Sequence, residues 1–380
     1  MKKIAHICTV ASSHTILMDK LSYLQKKGYE IHIISSKAGL REEFTRSYKE
    51  IIPKFIDIKR SIQPVSDIIS LIRIYRLIKK EGYEIVHTHT AKAGFIGRLA
   101  AKLAGVPLII HTSHGLPFYE GQNKYQYLLY RQLEKLASTF CDAIFSQNHE
   151  EIPIIEELAP TKPVHYEGNG VDIHRLDRVF TDITDKELNN LRQKWNIDNN
   201  CKITLVGARF EPVKDHLFLL ESLKALKESG CKNFICLLAG KGPLENQIRK
   251  KIFGYELEHN VKIIGYQTNI YPYIKLSDIV VLTSQKEGVP RIIMEAMAFS
   301  KPVVATDVLG TRELVEHNVT GILVPYKDVQ QLATALSATI SNGQLRRDLG
   351  AKGRRRVEQG FTEEVVSHRI DKLYRKYCSC

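Results

Sequence analysis

Short runs of aliphatic and β-branched residues alternate along this chain with longer stretches whose apolar positions recur every three or four residues. The runs at 4–10, 31–35, 85–88, 108–112, 143–147 and 164–167 predict strands, and the stretches at 16–27, 66–80, 94–104 and 125–138 predict helices. A strand, a helix and another strand in succession make the βαβ rhythm of a parallel sheet. After Gly168-Asn169-Gly170-Val171-Asp172 the rhythm gives way to a polar stretch rich in Asp, Thr and Asn that runs to Asn200. It then restarts, with strands at 203–207, 234–239, 261–264, 279–283, 303–306 and 321–324 and helices at 217–229, 244–253, 291–299, 311–316, 329–342 and 344–359. The pattern predicts two doubly wound α/β domains joined through that stretch. Ligands of such sheets bind beyond the carboxyl ends of the strands, so two domains facing each other would share one cleft.

Length and composition agree with this division. The 380 residues exceed what one hydrophobic core usually organises, and 43% hydrophobic with 26% charged residues is ordinary for a globular chain. The first residues read as a strand and not a signal peptide, because His6 and Ser12-Ser13-His14 interrupt the apolar run. No run approaches the eighteen apolar residues of a spanning helix. Seven scattered cysteines, an odd number, several within apolar runs, fit cytosolic use of Cys as a small buried hydrophobe. Cys378-Ser379-Cys380 has no neighbouring partners that would make it a metal site. The formal net charge of +13, spread over both halves, favours anionic partners: phosphorylated substrates, an acidic membrane face or nucleic acid.

Two segments carry candidate chemistry. The strand at 203–207 runs into Gly-Ala-Arg-Phe-Glu-Pro-Val-Lys-Asp, residues 207–215, where Arg209 offers a forked donor and Lys214 a compact charge. Together they suit a diphosphate; a solvated loop with surface charges is the alternative. The strand at 279–283 precedes Glu-Gly-Val-Pro-Arg-Ile-Ile-Met-Glu-Ala-Met-Ala, residues 287–298. Pro290 opens the helix there, and first-turn amides with the helix dipole favour a phosphate or sugar oxygen. Glu295, one turn in, suits the vicinal hydroxyls of a ribose, and Glu287 in the loop suits those of a sugar. The plainer alternative pairs these carboxylates with Arg291 or Lys286.

With both segments in hand, the chain resembles a retaining GT-B glycosyltransferase of family four over essentially its whole length. The marks are G-x-R-F-x-x-x-K at 207–214, E-G-V-P-x-x-x-x-E at 287–295 and the following Ala-Met-Ala-Phe-Ser-Lys-Pro-Val-Val-Ala-Thr. The resemblance implies two Rossmann-like domains about a central cleft: an acceptor-binding domain at 1–175 and a donor-binding domain at 176–361, with a terminal helix at 362–380 packing back on the first. It implies that Arg209 and Lys214 hold the donor diphosphate, Glu295 the ribose, and Glu287 with the amides of Gly288, Val289 and Pro290 the transferred sugar. Arg291 would help position that sugar, and His114, in Thr-Ser-His-Gly at 112–115, would face it; a satisfied polar residue at a strand end is the alternative for His114. Many relatives carry Gly-Gly in the first loop, whereas this chain has Ala11-Ser12-Ser13-His14. Ser12, Ser13 and His14 could still contact acceptor or phosphate, or a serine could cap a helix. UDP is the donor nucleotide that the resemblance favours.

The sequence contains no Asp-x-Asp, the acidic pair that typically holds a metal against a diphosphate, so neither metal nor cofactor is expected. Tyr119, Lys124, Tyr125, Tyr127, Tyr130 and Arg131 interleave aromatic and basic side chains as a membrane interface does. The helix near 68–80 carries Arg73, Arg76, Lys79 and Lys80, with most of its apolar positions expected in the core. The resulting expectation is a cytoplasmic enzyme, peripheral at the inner face of the cell membrane, with a polyprenyl-diphosphate-linked saccharide as acceptor. A dehydrogenase is disfavoured because no G-x-G-x-x-G follows the first strand, and a nucleic-acid binder because the basic residues are dispersed among acids. A nucleotide-sugar epimerase or phosphorylase of the same layout is the nearer rival.

Overall fold

The computed structural model describes residues 2–14, 17–40, 50–59, 61–119 and 121–378. Ile16, where the second predicted element was to begin, and Ser379 and Cys380 lie outside them. The chain divides into two compact units, residues 1–169 with 363–380, and residues 170–362.

The first unit is built on seven parallel strands: β1 (Lys3–Val10), β2 (Glu30–Ser36), β3 (Ile52–Phe55), β4 (Ile85–His89), β5 (Leu108–Ser113), β6 (Ala143–Ser146) and β7 (Val164–Tyr166). They lie in the order β3-β2-β1-β4-β5-β6-β7. The second has six: β8 (Lys202–Gly207), β9 (Phe234–Ala239), β10 (Val261–Gly265), β11 (Ile279–Leu282), β12 (Val303–Thr306) and β13 (Ile322–Val324), in the order β10-β9-β8-β11-β12-β13. Helices cover both faces of each sheet, which is why strands such as Phe-Ile-Cys-Leu-Leu-Ala are buried at every position.

Short helices at Ile152–Leu158 and Tyr271–Leu276 are not in the sequence reading, and three further features depart from it. The edge strand β3 passed unread because Pro53 and Lys54 break its apolar run, which only an edge position tolerates. The polar stretch after 172 is helical, Ile173–Asp182 and Asp185–Lys194, each started by a side-chain cap: Asp172 accepts from the Arg175 amide and Thr184 from that of Glu187. Its Asp and Thr residues are therefore helix starts, and Leu176 is buried in the core with Ile173 and Val179 packed beside it. Residues 170–175 accordingly belong with the second unit.

The terminal helix Glu363–Cys378 packs on the first unit, where Val366, Ile370 and Tyr374 are buried alongside Leu21 and Leu24 of the helix Met18–Lys26. On the other face, the helix Pro64–Glu81 rests on the helix Ala91–Ala104 through a stripe of Ser70, Ile74 and Ile78. Leu71, Tyr75 and Leu77 pack beside it, so most apolar positions near 68–80 do face the core, but an outward stripe remains: Val65 is 75% exposed, and Ile68, Ile69 and Ile72 are exposed too. Among the described residues no helix is long and apolar enough to cross a membrane.

Candidate functional site

In the second unit, β8 and β11 are parallel neighbours, so the loops after them leave the same edge of the sheet. Backbone and side-chain bonds tie the two loops together. The Gln285 amide donates to the Val213 carbonyl at 2.9 Å, and the Thr283 hydroxyl to the Lys214 carbonyl at 3.2 Å. Lys214 Nζ then lies 2.5 Å from Glu287 Oε1, an oxygen that also accepts from the Ser284 hydroxyl at 2.5 Å. Glu287 is buried, so its charge depends on these two donors.

Lys214 is followed by Asp215, a non-glycine residue held at φ 41°. That left-handed conformation is uncommon outside glycine and persists here because the side chain is fixed three ways. Asp215 caps the helix His216–Glu228 through the Phe218 amide, and it accepts from Tyr326 Oη at 2.6 Å and pairs with Lys327 at 2.7 Å. Arg209 is mostly exposed and reaches Glu211 Oε1 at 2.6 Å. Each cation of the loop thus has a carboxylate partner, and an anionic ligand must compete with that partner.

Glu295 lies on the helix Arg291–Ala298, buried, with Arg291 Nε at 3.0 Å and Tyr271 Oη at 3.2 Å, both on Oε1. Arg175 reaches that tyrosine at 3.4 Å. Pro290 caps the helix and Arg291 is its first residue. The expected sugar-binding trio needs one correction: proline has no N–H, so Pro290 cannot donate, and of the three expected amides those of Gly288 and Val289 remain.

Three glycines that the motif reading left unused are needed for these loops to meet. A Cβ on Gly310 would sit 1.5 Å from the Gly288 carbonyl oxygen. On Gly240 and Gly242 it would sit 2.0 Å and 2.4 Å from the carbonyl oxygens of Ala208 and Phe210. The loops after β9 and β12 therefore brace the two motif loops backbone to backbone, a relation that one sequence shows only as isolated glycines.

In the first unit His114 follows β5, half-buried beside a cavity of about 60 Å³ lined also by Thr90, His111, Leu116 and Glu134. Its Nε2 meets His89 Nδ1 at 2.9 Å, and His89 Nε2 meets His6 Nδ1 at 3.0 Å. His6, His87 and His89 share one sheet face, since alternate residues of a strand point the same way and His6 pairs in register with His87. A second network starts at Glu167, which pairs with Lys20 at 3.0 Å and accepts from the Thr112 hydroxyl at 2.5 Å. A carboxylate only accepts, so the Thr112 proton points at it. His87 Nε2–H therefore donates to Thr112 at 2.6 Å, and His87 Nδ1 accepts from Tyr374 Oη at 2.5 Å.

Burial pushes His6, His87, His89 and His111 well below the ordinary histidine value, with like-charged neighbours adding to it. Burial likewise lowers His14 and His114 to about 4, in His114 against the pull of the Glu167 carboxylate. Burial works against ionising Glu167, but Lys20, His114 and Thr112 outweigh it and hold the carboxyl low.

The remaining first-unit expectations fare unevenly. His14 is buried, its Nε2 bonding the Ile34 carbonyl at 3.3 Å, so it is packed into the fold and not offered to an acceptor; Ser12 is exposed and Ser13 half-buried. Of the aromatic-basic segment, Tyr125 is 84% exposed and Lys124 exposed, with Leu128 and Leu129 beside them on the helix Lys124–Ser138. Tyr119 is half-buried; Tyr127 and Tyr130 pack against the core, Tyr127 edge-on to Phe118, and Arg131 pairs with Glu157. Those four are less available to a surface than their spacing suggested, the three on the helix because only one stripe of a packed helix faces outward.

Comparison with known proteins accounts for both units. Residues 3–148 match the family described as Glycosyl transferase 4-like, and residues 188–356 the family described as Glycosyl transferases group 1. The chain is 29% identical to the Escherichia coli UDP-Gal:alpha-D-GlcNAc-diphosphoundecaprenol alpha-1,3-galactosyltransferase, covering 98% of this chain and 95% of that protein. It is 28% identical to the Staphylococcus aureus capsular polysaccharide biosynthesis glycosyltransferase CapM, covering 99% and 97%. Among solved structures, Anabaena HepE in complex with UDP and glucose superposes with a TM-score of 0.82 at 20% identity, covering 99% of this chain and all of that one (100%).

Proposed function

The chain is a GT-B glycosyltransferase of the family-four type, and from that premise we propose that it is a retaining enzyme. It moves a sugar from a UDP-sugar to a polyprenyl-diphosphate-linked saccharide in the synthesis of a cell-surface glycan. The observation that carries the reading is the junction of Lys214 and Glu287, 2.5 Å apart, which brings the diphosphate loop against the sugar loop. The donor and acceptor classes rest on relatives: the E. coli enzyme's name gives a UDP-Gal donor and a diphosphoundecaprenol-linked acceptor, and HepE was captured with UDP and glucose.

In this reading Arg209 and Lys214 take the diphosphate from Glu211 and Glu287, and Glu287, released, accepts from the sugar hydroxyls. Glu295 takes the ribose hydroxyls. The anomeric carbon–oxygen bond breaks as the acceptor hydroxyl attacks from the same face, and the acceptor's proton passes to the departing phosphate oxygen. The main contribution of the protein is cationic stabilisation of that leaving group. With no Asp-x-Asp in the sequence, the two cations and the helix dipole replace a metal in this role. His114 faces the reacting sugar.

The membrane reading rests on two helices of the first unit. Val65, Ile68, Ile69 and Ile72 on one, and Tyr125, Leu128 and Leu129 on the other, are exposed, with Arg73, Arg76, Lys79, Lys80 and Lys124 exposed among them. Apolar side chains ringed by cations suit the inner face of an anionic membrane.

A thermal-shift screen of nucleotide sugars in chelator tests the donor assignment, because a selective donor raises apparent stability by mass action. One UDP-sugar is expected to stabilise the protein, and UDP release is expected only once a lipid-diphosphate saccharide is added. Stabilisation by a non-uridine sugar nucleotide alone, or UDP release independent of acceptor, contradicts the proposal.

A further inference from the structure

The histidines of β1 and β4 invite a metal reading, since His6, His87 and His89 bring ligand atoms within 4.8 Å of one another. Ring geometry argues against it: His87 stacks on His89 at an interplanar angle of 27°, while His6 lies edge to edge with His89 and its Nδ1 is already turned to His89 Nε2 at 3.0 Å. Lone pairs lie in the ring plane, so stacked imidazoles do not converge on one ion. Both nitrogens of His87 are moreover spent on Tyr374 and Thr112.

What the geometry does build is a chain of three imidazoles, His6–His89–His114, with contacts of 3.0 Å and 2.9 Å. Each neutral ring carries one proton, so the chain has two consistent settings. In one, every ring is protonated on Nδ1: His6 donates to His89, His89 donates to His114, and His114 keeps its own proton on Nδ1. In the other, every ring is protonated on Nε2 and the donation runs back toward His6. The far end decides between them. His6 Nε2 is buried and has no hydrogen-bond partner among the described residues. The second setting would leave an N–H stranded there, whereas the first leaves only a lone pair, and orphaned buried N–H groups are the rarer and costlier of the two.

We propose that His6 and His89 are positioning residues that hold His114 neutral with its proton on Nδ1. The functional half of this rests on the reading of His114 as the residue facing the reacting sugar. The groups packed around the chain are His14 and Lys20 from the first helices, His87 from β4, Glu167 after β7 and Tyr374 from the terminal helix. Lys20 and Glu167 neutralise each other, and the latter's remaining oxygen is bound by Thr112. Gln147 also hydrogen-bonds the His114 ring. The Gln147 bond favours the protonated ring, so Gln147 accepts there, and with Nε2 turned to His89 the N–H it accepts from is on Nδ1.

Histidine-selective ¹⁵N labelling of the full chain, read by long-range N–H correlation, reports each tautomer directly. The expected spectrum shows Nδ1–H for His6, His89 and His114 and Nε2–H for His87. A His114 protonated on Nε2 overturns the proposal, with no variant needed. In His6→Asp an acceptor replaces the terminal donor, so donation is expected to run back from His89 and to leave His114 protonated on Nε2. Turnover should then fall about tenfold with little change in donor KM, the scale of losing a supporting hydrogen bond behind a site residue. His6→Asn, which places an amide N–H near the lost Nδ1–H, should keep the natural tautomer and turnover. An unchanged His114 tautomer in folded His6→Asp also overturns the proposal. If the tautomer reverses while turnover holds, the relay stands and the assignment of His114 to the transfer falls.

Discussion

Lys214 Nζ and Glu287 Oε1 meet at 2.5 Å across two loops that are 73 residues apart in the chain. The pair sets the two groups expected to hold leaving group and sugar in one place before any ligand arrives. Removing either should therefore affect the other. Lys214→Ala or Arg209→Ala is expected to lower turnover roughly 100-fold or more, the scale of one preorganised charge contact. Glu287→Gln combined with Lys214→Met should cost less than the product of the two single effects, since each single variant strands a partner. Steady-state kinetics of the four proteins in the cycle check this; strict multiplicativity would separate the residues into unrelated roles.

The bracing glycines give a prediction independent of charge. Gly310→Ala places a Cβ 1.5 Å from a backbone oxygen that has nowhere to retreat without shifting Gly288. Overpacking of this kind costs about 1–3 kcal/mol. Gly310→Ala should show lowered Tm and weakened UDP binding, whereas Gly254→Ala, also helical and with nothing near its added Cβ, should leave UDP binding alone. Equal UDP affinity in both variants would contradict the account of the loop.

Acid stability follows from the buried histidines. His6, His14, His87, His89, His111 and His114 are all held below the ordinary value in the folded state. The unfolded chain takes up those protons at about pH 6.5 while the folded chain refuses them. Their contribution is thus fully present above about 6.5 and is lost as the pH falls toward 4, at up to about 1.4 kcal/mol per pH unit for each ring. In the second unit only His216, among the described residues, is lowered in this way, to about 4. Calorimetry between pH 7.5 and 5 should show the transition of the first unit moving down well ahead of that of the second. A transition insensitive to pH over that range would contradict neutral burial of the cluster.

Membrane association has its own test. Val65→Glu with Ile69→Glu changes two exposed positions that support no core packing, so folding should be preserved. Flotation with vesicles containing phosphatidylglycerol at low salt should recover the natural protein and lose the variant. Equal recovery, or none for either protein, would remove the membrane from the proposal.

Much of this was legible in the residues. The apolar runs gave every strand of both sheets except β3, because helices cover both faces and leave no polar alternation to misread. Arg209, Lys214 and Glu287 could be singled out because each sits in a βα loop with distinctive neighbours, and Glu295 because it lies one turn into the helix that follows. What stayed hidden depends on long-range packing. Helix caps at Asp172 and Thr184 looked like loop composition, and the outward stripe of the helix Pro64–Glu81 looked like core. Gly240, Gly242 and Gly310 acquire meaning only when strands from distant parts of the chain bring backbones together. The spacing His87-Thr88-His89 did place two imidazoles on one face, but the partners that orient them, His6, His114 and Tyr374, come from three other elements.

The central claim is that two cations recognise a diphosphate, and titration calorimetry with UDP and with uridine, in chelator, addresses it most directly. The natural protein should bind UDP at least about tenfold more tightly than uridine, one charge-assisted contact being worth about 1.4 kcal/mol or more. In Arg209→Ala with Lys214→Ala that difference should collapse while uridine affinity holds. A double variant that still prefers UDP by the natural margin would contradict the assignment of Arg209 and Lys214 to the diphosphate.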